Sequence, residues 1–136
     1  MAAPSTELAV KIAVLDLAAE YAIGCDRQDW AAVVELFTAD AVFDAEAVYQ
    51  RTMRGPAELR AFFESAPLAA GHHPTNVLTT VHGPDSATAI MKMLVLFRSG
   101  IFSVDYEWQL VMVGERWRIA HQRIAVVGKV ALPSSR

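Results

Sequence analysis

The stretch Phe102-Ser103-Val104-Asp105-Tyr106-Glu107-Trp108-Gln109-Leu110-Val111-Met112 decides the fold. Phe102, Val104, Tyr106, Trp108, Leu110 and Met112 fall on one face, and Ser103, Asp105, Glu107 and Gln109 on the other. That period of two predicts a half-buried antiparallel strand. Gly114-Glu115 turns the chain into a last strand from Trp117 to about Val127. On the other side, Arg98-Ser99-Gly100 closes a strand predicted over Ala87–Phe97. A turn signal, Gly83-Pro84-Asp85-Ser86, separates that strand from a β-rich run over 76–81.

Before Pro67 the period is helical. Leu8, Ile12, Leu15, Ala19 and Ala22 step by four and three towards Asp26, and Val10, Val14, Leu17 and Tyr21 form a second stripe beside them. The two stripes predict a first helix buried over a broad face, through to Gly24. Ser5 or Thr6 is placed to cap it, with Glu7 in the first turn. Asp29 is placed to cap a short helix from Trp30 to Phe37. Ala41-Val42-Phe43 reads as a brief strand and residues 45–55 as a loop. Pro56 opens a third helix that buries Leu59, Phe62 and Phe63. Residues 1–4 and 133–136 read as tails. Three helices followed by an antiparallel meander define an α+β domain.

Composition bounds the function. The chain has 136 residues, 54% of them apolar and 20% charged. This suits one globular domain (residues 1–136, core about 6–128) with an apolar cavity or a subunit interface. A net charge of −3 with scattered Lys and Arg leaves no footprint for nucleic acid. No apolar run approaches a membrane span, and Glu7, Lys11 and Asp16 interrupt any signal-peptide core, so a cytoplasmic protein is expected. The single Cys25 has no internal disulfide partner, and no residue set has metal-ligand spacing.

Two stretches carry candidate chemistry. Asp26 lies in Gly24-Cys25-Asp26-Arg27-Gln28-Asp29-Trp30, at the end of a predicted buried stripe, where a carboxylate is costly unless paired. His72, in Gly71-His72-His73-Pro74-Thr75-Asn76, is the candidate partner. Its neighbour His73 precedes Pro74 and is expected to face the other way. Asp26 could instead cap the turn at Asp29, and either histidine could be an ordinary loop residue. On the last strand, Trp117, Ile119, His121, Arg123, Ala125 and Val127 share a face by alternation. His121 and Arg123 are costly there against a dry core and useful in a pocket wall. Arg123 could also serve a subunit ion pair, His121 a structural bond and Tyr21 plain core packing. His82 reads as solvated.

The chain resembles the SnoaL-like branch of the NTF2-like superfamily, within it the group of scytalone dehydratase, bile-acid 7α-dehydratase and hexachlorocyclohexane dehydrochlorinase. The resemblance spans about residues 6–128. It lies in the first helix running into Cys25-Asp26-Arg27-Gln28-Asp29-Trp30, in Leu36-Phe37-Thr38-Ala39-Asp40-Ala41, in His72 with Thr75-Asn76, and in Trp117-Arg118-Ile119 leading to Arg123. It implies a cone-shaped barrel, a strongly curved, mainly antiparallel sheet closed by helices around a pocket. It also implies an Asp26–His72 pair, with Tyr21 and Arg123 resembling further groups of the bile-acid enzymes. No residue on the strand Ala87–Phe97 matches the second catalytic His of scytalone dehydratases, so substrate identity does not carry over.

A neutral imidazole can take a proton from carbon, and a carboxylate on its other nitrogen fixes the tautomer and stabilises the cation that forms. The expected protein is a cofactor-independent lyase or isomerase of a small hydrophobic molecule. It would use Asp26, His72, Arg123 and Tyr21, with Phe62, Phe63, Tyr106, Trp108, Ile119 and His121 lining the site. A non-catalytic ligand-binding or assembly domain, or a polyketide-cyclase-type enzyme, is the alternative. Strands apolar on both faces need a second cover, which predicts a homodimer through the outer sheet face.

Overall fold

A computed structural model of the chain describes residues 4–134. The elements are α1 (Pro4–Asp26), α2 (Trp30–Glu35), β1 (Phe37–Asp44), α3 (Glu46–Tyr49), β2 (Thr52–Arg54), α4 (Gly55–Ser65), β3 (Gly71–Val81), β4 (Ser86–Phe97), β5 (Gly100–Val113) and β6 (Arg116–Ala131). The strands form one curved sheet in the order β2-β1-β6-β5-β4-β3. Every neighbouring pair is antiparallel except β1 and β6, which run parallel. The fold is α+β, a cone-shaped barrel whose sheet wraps the helices, with β5 at its centre.

The β5 alternation is seen as read: Val104, Tyr106, Trp108 and Leu110 are buried, while Glu107 and Gln109 are exposed. Trp108 and Tyr106 meet Tyr21 of α1 edge-on, with ring centroids 5.9 and 5.8 Å apart. Phe63 of α4 and Phe37 of β1 complete the cluster at 6.2 and 6.3 Å. Burying a large apolar side chain is worth roughly 1.5–3 kcal/mol, so this cluster does much to hold α1 and α4 against the sheet.

Several boundaries differ from expectation. The stretch 45–55 is not a plain loop: it forms α3 and the edge strand β2. The strand around Ala41–Phe43 begins at Phe37, which shortens the helix before it to Glu35. The first helix runs to Asp26, and it starts at Pro4, so Ser5 and Thr6 lie in its first turn rather than at its cap. Residues 1–3 and 135–136 of the two expected tails lie outside the described residues. His82 is exposed, as read, and its Nε2 lies 2.9 Å from the Thr88 hydroxyl at the surface.

The largest correction in α1 is the choice of face. Val10, Val14, Leu17, Ala18, Tyr21, Ala22 and Cys25 are buried, whereas Leu8, Ile12 and Leu15 are 59%, 52% and 53% exposed. The helix is apolar nearly all round, so its period did not choose between stripes; the position of the sheet did. No helix among the described residues is long and apolar enough to cross a membrane.

Candidate active site

The turn after α1 places the first candidate side chain, Asp26. Gln28 adopts a left-handed conformation (φ 56°), and the N–H groups of Arg27, Gln28 and Asp29 return to the carbonyls of Ile23, Cys25 and Gly24. The Asp29 carboxylate accepts from the Ala32 N–H at 3.2 Å and caps α2. The turn is thus closed by backbone bonds and α2 by Asp29, so the Asp26 carboxylate is used elsewhere. Gly24 makes the tight crossing possible, since a Cβ there would lie 2.8 Å from Cγ2 of the buried Val33.

His72 arrives from the opposite side, near the start of β3. It pairs with Val95 of β4, a buried cavity residue, while His73 pairs with Leu94 and is exposed. His72 is therefore the inward histidine. Further along, the register slips between Thr75 and Leu78, where Asn76 takes a left-handed conformation (φ 53°), one that asparagine tolerates better than most residues.

The two stretches meet at Asp26 and His72. Asp26 Oδ2 accepts the His72 backbone N–H at 3.1 Å, and Oδ1 lies 2.7 Å from His72 Nδ1. One carboxylate holds the residue by main chain and ring together. An ionised carboxylate only accepts, so Nδ1 carries the proton of the neutral ring and Nε2 is left as its basic nitrogen.

His72 forms part of the wall of a cavity of about 360 Å³. The aromatic side chains of Tyr21, Trp30, Phe62, Phe63, Phe102 and Tyr106 supply much of the rest, with Cys25 and Tyr49 among the polar groups. Among the described residues, no Lys, Arg, Asp or Glu lines it. Burial, more than any neighbour, pushes both tyrosines up: Tyr21 and Tyr106 titrate well above the usual phenol range. Burial, helped by the Asp26 charge, raises the Cys25 thiol to about 12. All three keep their protons at neutral pH and act as neutral donors or walls.

Five of the expected site residues do not line this cavity. Arg123 and His121 lie on the outer face, bordering a groove with Asp44, Thr88, Glu107 and Gln109. The cause is a β-bulge in β6. Ile119 pairs with Leu110, but His121 pairs with Gln109, so Ala120 is an extra residue and the alternation reverses after it. Gln122 and Ile124 turn inward instead. Trp108 and Ile119 are buried as expected, yet they belong to the packed core rather than to the cavity wall. Tyr21, Phe62, Phe63, Tyr106 and His72 do line it, and Asp26 stands behind His72.

Gln122 escaped the sequence reading altogether. It is wholly buried, accepts the Trp108 indole N–H at 2.8 Å and donates to the Tyr21 hydroxyl at 3.1 Å. The only available signal was a polar residue between Ile119 and Ile124, and regular alternation put it outside.

A curved, mainly antiparallel sheet closed by helices around an apolar cavity defines the class of fold. The chain belongs to the SnoaL-like domain family, which matches residues 6–123. No curated protein matches the sequence. Among solved structures, a hexachlorocyclohexane dehydrochlorinase from Novosphingobium barchaimii LL02 is similar at TM-score 0.83 and 18% identity, over 96% of this chain and 94% of that one. An NTF2-like protein with a cystatin-like fold from Novosphingobium aromaticivorans is similar at TM-score 0.76 and 23% identity, over 88% and 83%. A protein of unknown function from Mycobacterium tuberculosis is similar at TM-score 0.78 and 25% identity, over 88% and 77%. The low identities make these likenesses of fold.

Proposed function

We propose that the protein is a cofactor-independent lyase or isomerase of a small, uncharged hydrophobic molecule, with His72 as general base and Asp26 as its orienting carboxylate. The observation that carries this reading is the double hold of Asp26 on His72 at the wall of an apolar cavity. It presents a basic nitrogen where a carbon acid would bind and leaves a carboxylate behind it to stabilise the imidazolium. A cavity wall without an ionised residue suits a neutral ligand, because a charged one would be desolvated without a partner.

In a β-elimination, His72 Nε2 takes the proton from carbon. The C–H electron pair becomes the new double bond, and the leaving group departs with the pair of its own bond. A departing hydroxide takes a proton from the imidazolium or a tyrosine and leaves as water; a halide needs none. In an isomerisation the imidazolium returns the proton to a different carbon. Positioned acid–base catalysis of this kind supplies roughly 10²–10⁴-fold. Membership of the SnoaL-like family, and the fold shared with a dehydrochlorinase, support the reaction class.

A second reading, a ligand-binding domain without turnover, is favoured by the outward turn of Arg123, which leaves the cavity without a cation. One experiment separates the two. Hydroxylated and halogenated ring compounds are incubated with the protein in D₂O and followed by mass spectrometry for elimination and for deuterium uptake at carbon. Turnover or exchange that disappears in His72→Ala supports the enzyme. Saturable binding with neither elimination nor exchange in the wild type overturns it in favour of the binding domain.

A further inference from the structure

Gln122 takes no part in the Asp26–His72 contact, yet it is wholly buried, which is costly unless both ends of its amide are bonded. Both ends are. The indole N–H of Trp108 can only donate, so the amide oxygen faces Trp108 and the amide nitrogen faces Tyr21. An amide nitrogen does not accept, so the bond at Tyr21 runs one way, from Gln122 to the phenol oxygen. The Tyr21 proton is therefore not spent on Gln122. It is left for the cavity side, where Cys25 and Tyr106 lie within hydrogen-bonding reach and a ligand oxygen would compete with them.

We infer that Gln122, itself oriented by Trp108, is a positioning residue that fixes Tyr21 as a hydrogen-bond donor towards the cavity, matched to a ligand carrying an oxygen acceptor. The inference rests on the reading of the cavity as a ligand site. The amide also supports negative charge that gathers on the phenol oxygen as it donates, and accordingly Gln122 works against the upward pull of burial on Tyr21. Bonds aligned head to tail reinforce one another in a dry interior. The register makes the chain possible: Trp108 and Gln122 are direct cross-strand partners, and Gln122 faces inward because of the extra residue at Ala120.

The test uses 1-indanone and indane, rigid neutral rings that differ by one carbonyl oxygen. Binding is read from tryptophan fluorescence, Trp30 being in the wall, and the carbonyl stretch of bound indanone from difference infrared spectra. Wild type should bind the ketone about 10-fold more tightly than the hydrocarbon, the worth of one hydrogen bond, with the stretch shifted down. Gln122→Met and Tyr21→Phe should each lose that preference and the shift while still binding indane, and the double variant should lose no more than either. Gln122→Leu, which likewise cannot donate to Tyr21, serves as a second variant, and near-UV circular dichroism checks that each variant keeps its fold.

Preserved preference and stretch in the Met or Leu variant, with its fold intact, overturns the inference. Without ligand, Tyr21→Phe should speed hydrogen exchange of the Gln122 side-chain amide; unchanged exchange also overturns it. Should wild type bind neither compound, the ligand-site reading falls, and the exchange measurement alone decides the bond from Gln122 to Tyr21.

Discussion

Replacing Asp26 by asparagine tests the site at its most constrained point. The two carboxylate oxygens accept two different hydrogens of His72, the main-chain N–H at 3.1 Å and the ring Nδ1–H at 2.7 Å. Asparagine has one acceptor, so one contact must become donor to donor unless the imidazole changes tautomer. The backbone N–H cannot change and the ring can. The amide oxygen should therefore keep the backbone contact and the amide NH₂ should face Nδ1, moving the ring proton to Nε2. The basic nitrogen is then lost from the cavity side, and the neutral amide no longer stabilises an imidazolium. The corresponding change in a fully buried hydrolase triad costs about 10⁴ in kcat. Here the side chains of Asp26 and His72 keep 32% and 18% of their exposure, so solvent screens part of the charge effect. The expected loss is about 10²–10³-fold in kcat, with little change in stability because both side-chain contacts persist in the new tautomer. Ring ¹⁵N shifts of His72 report the tautomer with no substrate present, and steady-state kinetics report the loss. An Asp26→Asn protein whose ring still carries its proton on Nδ1, or whose activity is unchanged, refutes the reasoning.

Arg123→Met should leave kcat/KM within about twofold, since an exposed side chain outside the site rarely matters by more; a loss near a hundredfold would return Arg123 to the mechanism. Gly24→Ala should destabilise by about 1–3 kcal/mol despite alanine's better helix propensity, because the new methyl meets Val33 Cγ2 at 2.8 Å. Chemical denaturation should show that adding Val33→Ala costs Gly24→Ala less than it costs wild type. Stability should fall as pH rises from about 9 towards 12. The Cys25 thiol gives up its proton near 9 when unfolded but near 12 when folded, so the unfolded state binds fewer protons across that window. The thiol alone accounts for up to about 4 kcal/mol, and Tyr21 and Tyr106 add to it in the same direction. Thermal melts that hold or rise from pH 9 to 11 would contradict this. Exposed Leu78, Ile90 and Leu94 on the outer sheet support the expected homodimer; light scattering should report a dimer at micromolar concentration and a monomer for Ile90→Asp, and a monomeric wild type would refute it.

The features legible in the sequence are local or rest on family pattern. The period of two over 102–112, the helical steps before Pro67 and the cap at Asp29 are written in neighbouring residues, because each depends on side-chain direction along one element. The contact of Asp26 with His72 joins residues 46 positions apart; helical spacing singled out Asp26 and the resemblance supported His72 as its partner, but no local pattern brings the two together. Tertiary structure decided the rest. Both stripes of α1 are apolar, so only the place of the sheet could bury Val10, Val14 and Leu17 and leave Leu8, Ile12 and Leu15 outside. In β6 the run from Trp117 to Val127 alternates evenly, yet pairing with β5 leaves Ala120 without an opposite residue. That one residue turns His121 and Arg123 out and brings Gln122 in. A bulge is a property of two strands in register, and the parity of everything beyond it cannot be read from either strand alone.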